Sequence, residues 1–119
     1  MRIRDITWLA GLVEADGTIG LRRDHTGGLF RTPVIKVCMA DRDVIQRAAF
    51  LFGDKHVGEW KRKTSTGKKM YEVVIVASQA AAWIMTLFSE LGLRRRAQAV
   101  RAVSAWRTRP NRGKGEHRG

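Results

Sequence analysis

Two acidic residues, Glu14 and Asp16, stand at the end of a segment whose apolar residues recur at helical spacing. Acidic side chains at the carboxyl end of a helix oppose the helix dipole and cost about 0.3–1 kcal/mol each. Carboxylate oxygens, together with the free carbonyl groups of a helix end, are nevertheless the hard ligands that Mg²⁺ prefers. The pattern therefore indicates a divalent metal site rather than a contribution to stability.

The helix that carries these acids is predicted to begin at Asp5, as its N-cap, and to end at Gly17 in the left-handed conformation that commonly stops a helix. Gly11 and Ala15 are four residues apart and share one face of it. Small residues at this spacing let a second helix backbone approach closely. We therefore expect a partner helix along this face, with the acids at the end of the contact. The apolar residues at helical spacing are Ile6, Leu9, Ala10 and Val13.

The rest of the chain predicts two hairpins and three further helices in one domain. Strands are predicted over residues 18–23, 29–39, 57–63 and 70–77. A second helix follows Asp41 or Asp43, and a third runs from about Ser78 to Leu91. The arginines at 94–96 are predicted to form a basic turn before a last helix. The order is helix, hairpin, helix, hairpin, helix, helix.

The chain is strongly basic. Its 119 residues include 23 Lys and Arg against 11 Asp and Glu, which gives a net charge of +12. Such a field attracts polyanions, and nucleic acid before an anionic membrane surface. A single cysteine excludes an intrachain disulfide and a cysteine-based zinc site, and no apolar stretch approaches the ~20 residues that span a bilayer. The composition favours a nucleic-acid-binding domain that is neither secreted nor inserted in a membrane.

Residues 9–17 read LAGLVEADG and resemble the nine-residue signature of the LAGLIDADG homing endonuclease family. They depart from it only at Val13, where the signature has Ile, and at Glu14, where it has Asp. The order of elements agrees with that family over residues 5–106. The resemblance implies an α+β fold, αββαββα, with a saddle-shaped antiparallel sheet and helices packed on one face. It covers a single domain, 1–106. Residues 107–119 are mostly basic and polar, which predicts a flexible basic tail.

The resemblance also implies a function. Family members with one copy of the motif act as homodimers, so two copies of this chain would pack their motif helices along a twofold axis. The dimer would make metal-dependent double-strand cuts in a long, near-palindromic DNA site, with Mg²⁺ as the metal and Mn²⁺ able to replace it. The host element would be a mobile intron, an intein or a free-standing gene. The residues expected at the dimer interface are Leu9, Gly11, Leu12 and Ala15.

In the implied active site, each subunit contributes Asp16 to a pair of carboxylates that hold the metal ions. The backbone carbonyl of Ala15 is a further ligand. Arg94 is the best match, among three consecutive arginines, to the basic residue that the family places near this point. Glu14 is grouped with the catalytic residues, although its role is open between support of the site and a structural contact with a basic residue.

The sheet of this family reads DNA, and alternate residues of a strand point to one face. This alternation predicts that Ile19, Leu21 and Trp60 face the core. The strand over 70–77 is apolar on both faces, so its register stays open. The residues expected to contact DNA are Thr18, Arg22, Arg31, Lys36, Lys61, Lys63, Arg95 and Arg96.

A second function stays open at this point. The same fold could bind nucleic acid without cutting it, as an RNA-splicing maturase or a DNA-binding regulator. The expected partners are double-stranded DNA and a second copy of the chain, with intron RNA as a further candidate and no membrane. The expected location is cytoplasmic, nucleoid-associated or organellar.

Overall fold

The computed structural model describes residues 2–23, 31–62 and 67–109. These residues form helices and one four-stranded antiparallel sheet, which confirms the predicted α+β class. None of the described helices is long and apolar enough to cross a bilayer. In chain order the elements are α1 (Ile3–Asp16), β1 (Gly17–Arg23), β2 (Arg31–Met39), α2 (Arg42–Leu51), β3 (Gly58–Lys61), β4 (Lys69–Val76), α3 (Ala77–Leu87), a 3-10 turn (Phe88–Glu90) and α4 (Leu93–Arg107).

The sheet has the strand order β1-β2-β4-β3. Each hairpin pairs its own two strands, and the hairpins join through β2 and β4, which run antiparallel at the centre. Three isoleucines lie side by side across β1, β2 and β4, namely Ile19, Ile35 and Ile75. This register settles the strand that was apolar on both faces, because it places Val73 with Ile75 on the core side.

One face of the sheet packs against the helices and forms the core. Its β-branched side chains are almost fully buried together with Leu9 and Val13 of α1 and Ile45 of α2. The opposite side of the sheet is called the open face below. By strand alternation and register, its residues are Thr18, Gly20, Arg22, Thr32, Val34, Lys36, Cys38, Gly58, Trp60, Met70, Glu72, Val74 and Val76.

The start of α1 differs from the prediction. The helix begins at Ile3 after Arg2, so Asp5 lies in its first turn rather than at the N-cap. There its carboxylate is favoured by the helix dipole and lies 3.7 Å from the guanidinium of Arg47. The acid therefore marks the beginning of the helix without capping it.

The end of α1 also differs. Gly17 has φ −98°, in the extended region, so the predicted left-handed stop is wrong. The glycine is required for another reason, because a Cβ there would lie 2.8 Å from both the Cα and the carbonyl oxygen of Val13. The Gly17 amide donates to that same oxygen. The chain thus passes from helix to strand without a loop, and this passage has no room for a side chain.

The basic segment before the last helix is not a turn. Gly92 is the N-cap of α4, and residues 94–96 form the first turn of that helix. The predicted tail is also shorter than expected, since Arg107 belongs to α4. The guanidinium of Arg109 lies 3.6 Å from the ring of Trp106 and donates to its carbonyl at 2.6 Å. Residues 110–119 of the predicted tail, and the first hairpin turn at 24–28, lie outside the described residues.

The passage at Gly17 gives a first prediction. We expect Gly17→Ala to lower the free energy of unfolding by about 1–3 kcal/mol, because its methyl group overlaps the backbone of Val13. Urea denaturation followed by circular dichroism measures this. Gly20→Ala is the matched control, since a Cβ at Gly20 meets nothing within 4 Å. Equal stability of the two variants would contradict the close approach.

Candidate functional site

The carboxyl end of α1 presents its two acids in different directions. Asp16 is exposed, whereas Glu14 is partly buried between α1 and the start of α4. Residues two apart on a helix do not share a face, which explains why the two carboxylates have different surroundings. Asp16 is therefore available to a ligand, and Glu14 is engaged within the chain.

Glu14 holds the beginning of α4. Its Oε1 accepts a hydrogen bond of 2.8 Å from the backbone amide of Gly92, the N-cap residue of that helix. A Cβ at Gly92 would lie 3.3 Å from both oxygens of the Glu14 carboxylate, so the glycine permits this close approach. An anion at a helix N-terminus is favoured by the dipole and by the free amides. This contact supports the structural role for Glu14, although its partner is a backbone amide rather than a basic side chain.

The three arginines of α4 have different environments. Arg94 is exposed, two residues after the amide that Glu14 holds. Arg95 is only 6% exposed, and its Nη1 donates to Oε1 of Gln98 at 2.9 Å, so the prediction that it contacts DNA is wrong. Arg96 donates from Nη2 to the carbonyl of Ser89 at 2.7 Å, an interaction that occupies it within the chain. Arg94 is thus the arginine of the three that presents its side chain to solvent.

The oxygen donors at this end of α1 are of the type that a divalent cation prefers. The carboxylate of Asp16 is exposed, and the Ala15 carbonyl is among the last four of the helix, which lack intrahelical amide partners. Among the residues in 2–23, 31–62 and 67–109, no three His, Cys, Asp or Glu side chains come together as a ligand cluster. This end of α1 therefore supplies oxygen donors of suitable chemistry, with Asp16 as its exposed carboxylate.

A smooth strip lies on the exposed side of α1. Gly11 and Ala15 are exposed, a Cβ at Gly11 would meet nothing within 4 Å, and Leu12 between them is half-buried. Leu9 is 0% exposed and belongs to the core of the single chain, so its predicted place in a dimer interface is wrong. Helical spacing alone does not separate the inner and outer faces of α1 at this residue.

The structure divides the predicted DNA-contacting residues between the two faces of the sheet. Thr18, Arg22 and Lys36 lie on the open face, as expected. Alternation places Arg31 and Lys61 on the opposite side, at exposed ends of their strands, which contradicts the predicted orientation. Lys63 lies outside the described residues.

Trp60 is a further correction. It lies on the open face and is 40% exposed rather than in the core. Its strand, β3, has only four residues and forms the edge of the sheet, so few core contacts fix its phase. The neighbouring acid Glu59 instead forms an ion pair of 3.0 Å with Lys69 of β4 on the other side.

Comparison with known proteins shows which solved structures have this architecture. No family model and no curated protein sequence matches the chain. The homing endonuclease I-CvuI in complex with its target matches with a TM-score of 0.70 and 23% identity, over 94% of this chain and 73% of that one. A second I-CvuI complex matches with a TM-score of 0.68 and 25% identity, over 92% and 72%. The group I intron-encoded endonuclease I-CeuI, complexed with DNA, matches with a TM-score of 0.56 and 18% identity, over 89% and 53%.

These neighbours are LAGLIDADG homing endonucleases. This chain has the LAGLIDADG fold. The motif of residues 9–17 occupies the last part of α1 and the first residue of β1 within that fold. The resemblance read from nine residues is therefore confirmed by the arrangement of the whole described chain.

In this LAGLIDADG fold, the open face holds a group that the sequence did not reveal. Glu72 of β4 has its Oε2 3.3 Å from Nζ of Lys36 on β2. Cys38 lies beside it, and burial, followed by the Glu72 carboxylate, raises the pKa of the Cys38 thiol. A hollow of about 310 Å³ is lined by Lys55, His56, Gly58, Glu72 and Val74. The sequence did not single out Glu72, because β4 is apolar on both faces. Which face Glu72 occupies follows only from the pairing of β4 with its neighbouring strands.

The Glu14 contact gives a second prediction. We expect Glu14→Ala to lower the free energy of unfolding by about 1–2 kcal/mol and to speed hydrogen exchange of the Gly92 amide, because the N-terminus of α4 loses its acceptor. Glu14→Gln keeps an acceptor oxygen and should lose less. Denaturant unfolding and amide exchange by NMR measure both effects.

Glu59→Ala is the control for this experiment. It also removes an acid and an ion pair, but from an exposed position on β3. It should leave the exchange of the Gly92 amide unchanged. If Glu14→Ala and Glu59→Ala gave the same exchange rate at Gly92, the carboxylate of Glu14 would not be what fixes α4.

Proposed function

We propose that two copies of this chain form a site-specific homing endonuclease that makes metal-dependent double-strand cuts in a near-palindromic DNA site. The observation that carries the proposal is the exposed Asp16 at the end of the motif helix, within a fold whose solved neighbours are homing endonucleases. Two of these neighbours were solved in complex with their target or with DNA. An acid at the carboxyl end of a helix opposes the helix dipole, so a bound cation gives Asp16 a role that helix stability does not.

Asp16 would hold the metal together with Asp16 of the second chain and the Ala15 carbonyls. The bound metal supplies Lewis-acid activation of water and neutralises charge on the phosphate. Mg²⁺ suits these hard oxygen donors, and Mn²⁺ can replace it. The crystals of I-CvuI contained 2 mM Ca in one case and 2 mM Mg in another, which is consistent with a divalent ion in this fold.

Arg94 would stabilise the negative charge that develops on the phosphate. The position of Arg94 relative to Asp16 depends on the hydrogen bond between Glu14 and Gly92. Asp16 follows Glu14 by two residues, and Arg94 follows Gly92 by two residues. Glu14 is thus a positioning residue in this proposal. Its carboxylate acts on α4, and the exposed side chain of Arg94 acts on the substrate.

The strip formed by Gly11, Leu12 and Ala15 would be the contact between the two chains. Small exposed residues at a spacing of four let two helices approach closely. Such a contact places the ends of both α1 helices, and therefore both Asp16 carboxylates, at the twofold axis. A twofold axis in the protein in turn requires related half-sites in the DNA.

The open face would bind the DNA. Antiparallel ribbons fit the major groove, and Thr18, Arg22 and Lys36 point from this face. The net charge of +12 supplies the sequence-independent attraction to phosphates. The open face, with its alternating polar and apolar side chains, then supplies contacts to base edges.

A third prediction tests cleavage. We expect Asp16→Asn to reduce double-strand cutting of a selected target by roughly 100-fold or more, since it removes a metal-holding charge from each chain. DNA affinity should be kept. Cutting is measured on a library of randomised duplexes with Mg²⁺ or Mn²⁺, and affinity by titration of the selected duplex.

Asp54→Asn is the matched control for this substitution. Asp54 is exposed in the turn after α2 and has φ 58°, a conformation that asparagine also tolerates. It should cut at the wild-type rate. If neither wild type nor Asp54→Asn cuts any duplex while both bind tightly, the chain is a binding module and the endonuclease proposal is wrong.

A fourth prediction tests the dimer. We expect Gly11→Leu to leave the fold of each chain intact, because the position is open and leucine favours a helix. The larger side chain should prevent close helix contact and halve the mass seen by sedimentation. Ala82→Leu, at an exposed position of α3, is the control that should stay dimeric. A dimeric Gly11→Leu variant would place the interface elsewhere.

A further inference from the structure

Glu72 is an acid on the surface that we propose binds DNA. Its side chain is 25% exposed, and that of Lys36, its ion-pair partner, is 49% exposed. Oε2 of Glu72 is buried beside the Lys36 ammonium and accepts no hydrogen bond. Oε2 therefore stays against Lys36, and the exposed parts of the pair on the open face are the ammonium and the remainder of the Glu72 carboxylate.

The ion pair of Lys36 and Glu72 adds little to the stability of the fold or to sequence-independent DNA affinity. Ion pairs between partly exposed side chains add little to stability. A carboxylate facing DNA repels phosphates and cancels the attraction of the neighbouring ammonium. An acid at this position makes a favourable direct contact where the base edge in front of it offers a hydrogen-bond donor.

The neighbours of Glu72 leave room for a base edge. Cys38 and Gly58 are its ladder partners on the two adjacent strands, and both are small. A Cβ at Gly58 would lie 3.2 Å from Cγ of Glu72, so any other residue there would crowd the acid. The Cys38 thiol is held neutral by its raised pKa and adds no competing charge. Glu72 and Gly58 line a hollow of about 310 Å³ together with Lys55, His56 and Val74.

The donor and acceptor match one base pair better than the other. In the major groove, guanine presents acceptors at O6 and N7, and cytosine presents a donor at N4. O6 and N4 are hydrogen-bonded to each other and lie about 2.9 Å apart, so two adjacent side chains, one an ammonium and one a carboxylate, can each meet one of them. In an A·T pair, the adenine donor has the N7 acceptor beside it, which repels a carboxylate. The thymine methyl also replaces the second acceptor that an ammonium would use.

We propose that Lys36 and Glu72 act together as a specificity-determining pair that recognises one G·C base pair in each half-site, with the ammonium on guanine and the carboxylate on cytosine. The assignment rests on the proposed DNA-binding function of the open face. Each chain contributes one such pair, so the two G·C pairs are related by the twofold axis of the site.

The test is selection of bound duplexes from a randomised library at one fixed salt concentration, followed by sequencing. Wild type should enrich a G·C pair of fixed orientation at one position of each half-site. Glu72→Gln should weaken the preference for cytosine there by about 5- to 150-fold and shift it toward adenine, because an amide pairs with N6 and N7 of adenine. Preferences at the other positions should stay as in wild type.

Glu59→Gln is the matched control, since it makes the same change of charge and removes a Lys–Glu ion pair of 3.0 Å on the other side of the sheet. Its selected sequence should equal that of wild type. Lys36→Met is the second variant and should weaken the preference for guanine at the same base pair. Melting temperatures verify that each variant is folded.

Three outcomes would overturn the inference. A Glu72→Gln selection with undiminished preference for cytosine would remove Glu72 from base recognition. Changes at different base pairs in Glu72→Gln and Lys36→Met would show that the two side chains do not act as one unit. A wild-type selection that enriches no sequence would refute the DNA-reading function itself, and the inference with it, which distinguishes the two failures.

Discussion

The hydrogen bond between Glu14 and the amide of Gly92 joins two helix ends that are each unfavourable alone. The end of α1 carries acids against its dipole, and the first turn of α4 carries arginines against its own. When the ends meet, the acid of α1 supplies the anion that the start of α4 requires. The same bond brings Asp16 and Arg94 to one region of the molecule. The acids of α1 and the arginines of α4 are each unfavourable for the stability of their own helix, yet the contact between these two helix ends depends on one of the acids.

The sheet is positioned by the same helix. Because α1 continues directly into β1 through Gly17, the first strand has little freedom to move relative to Asp16. The core side of the sheet is fixed by Ile19 and its neighbours across β2 and β4. The opposite side of the sheet is the open face, which we propose binds DNA. In that proposal, the exposed acid at the end of α1 and the DNA-contacting strands belong to one rigid unit, because α1 and β1 are continuous.

The sequence predicted the elements and the place of Asp16 at the end of α1, because these depend on local patterns, namely helical spacing, glycine positions and a nine-residue motif. It did not predict the partner of Glu14, which lies 78 residues away along the chain. The prediction of which side of β3 faces the core was wrong, because a four-residue edge strand makes few core contacts. Trp60 lies on the open face instead. Arg95 was expected at the surface because it is charged, yet α4 buries it together with Ala99 and Ala102. Glu72 was missed because its face follows from pairing with β2 and from nothing in its own strand.

The span of the Glu14–Gly92 bond has a consequence for the living cell. A ribosome must release most of this chain before the acid of α1 can meet the helix that bears Arg94. A nascent molecule carries much of the positive charge of the chain before this contact forms. In the endonuclease that we propose, an immature protein would therefore bind DNA before the two helix ends could act together, and cutting would begin only after α4 has folded.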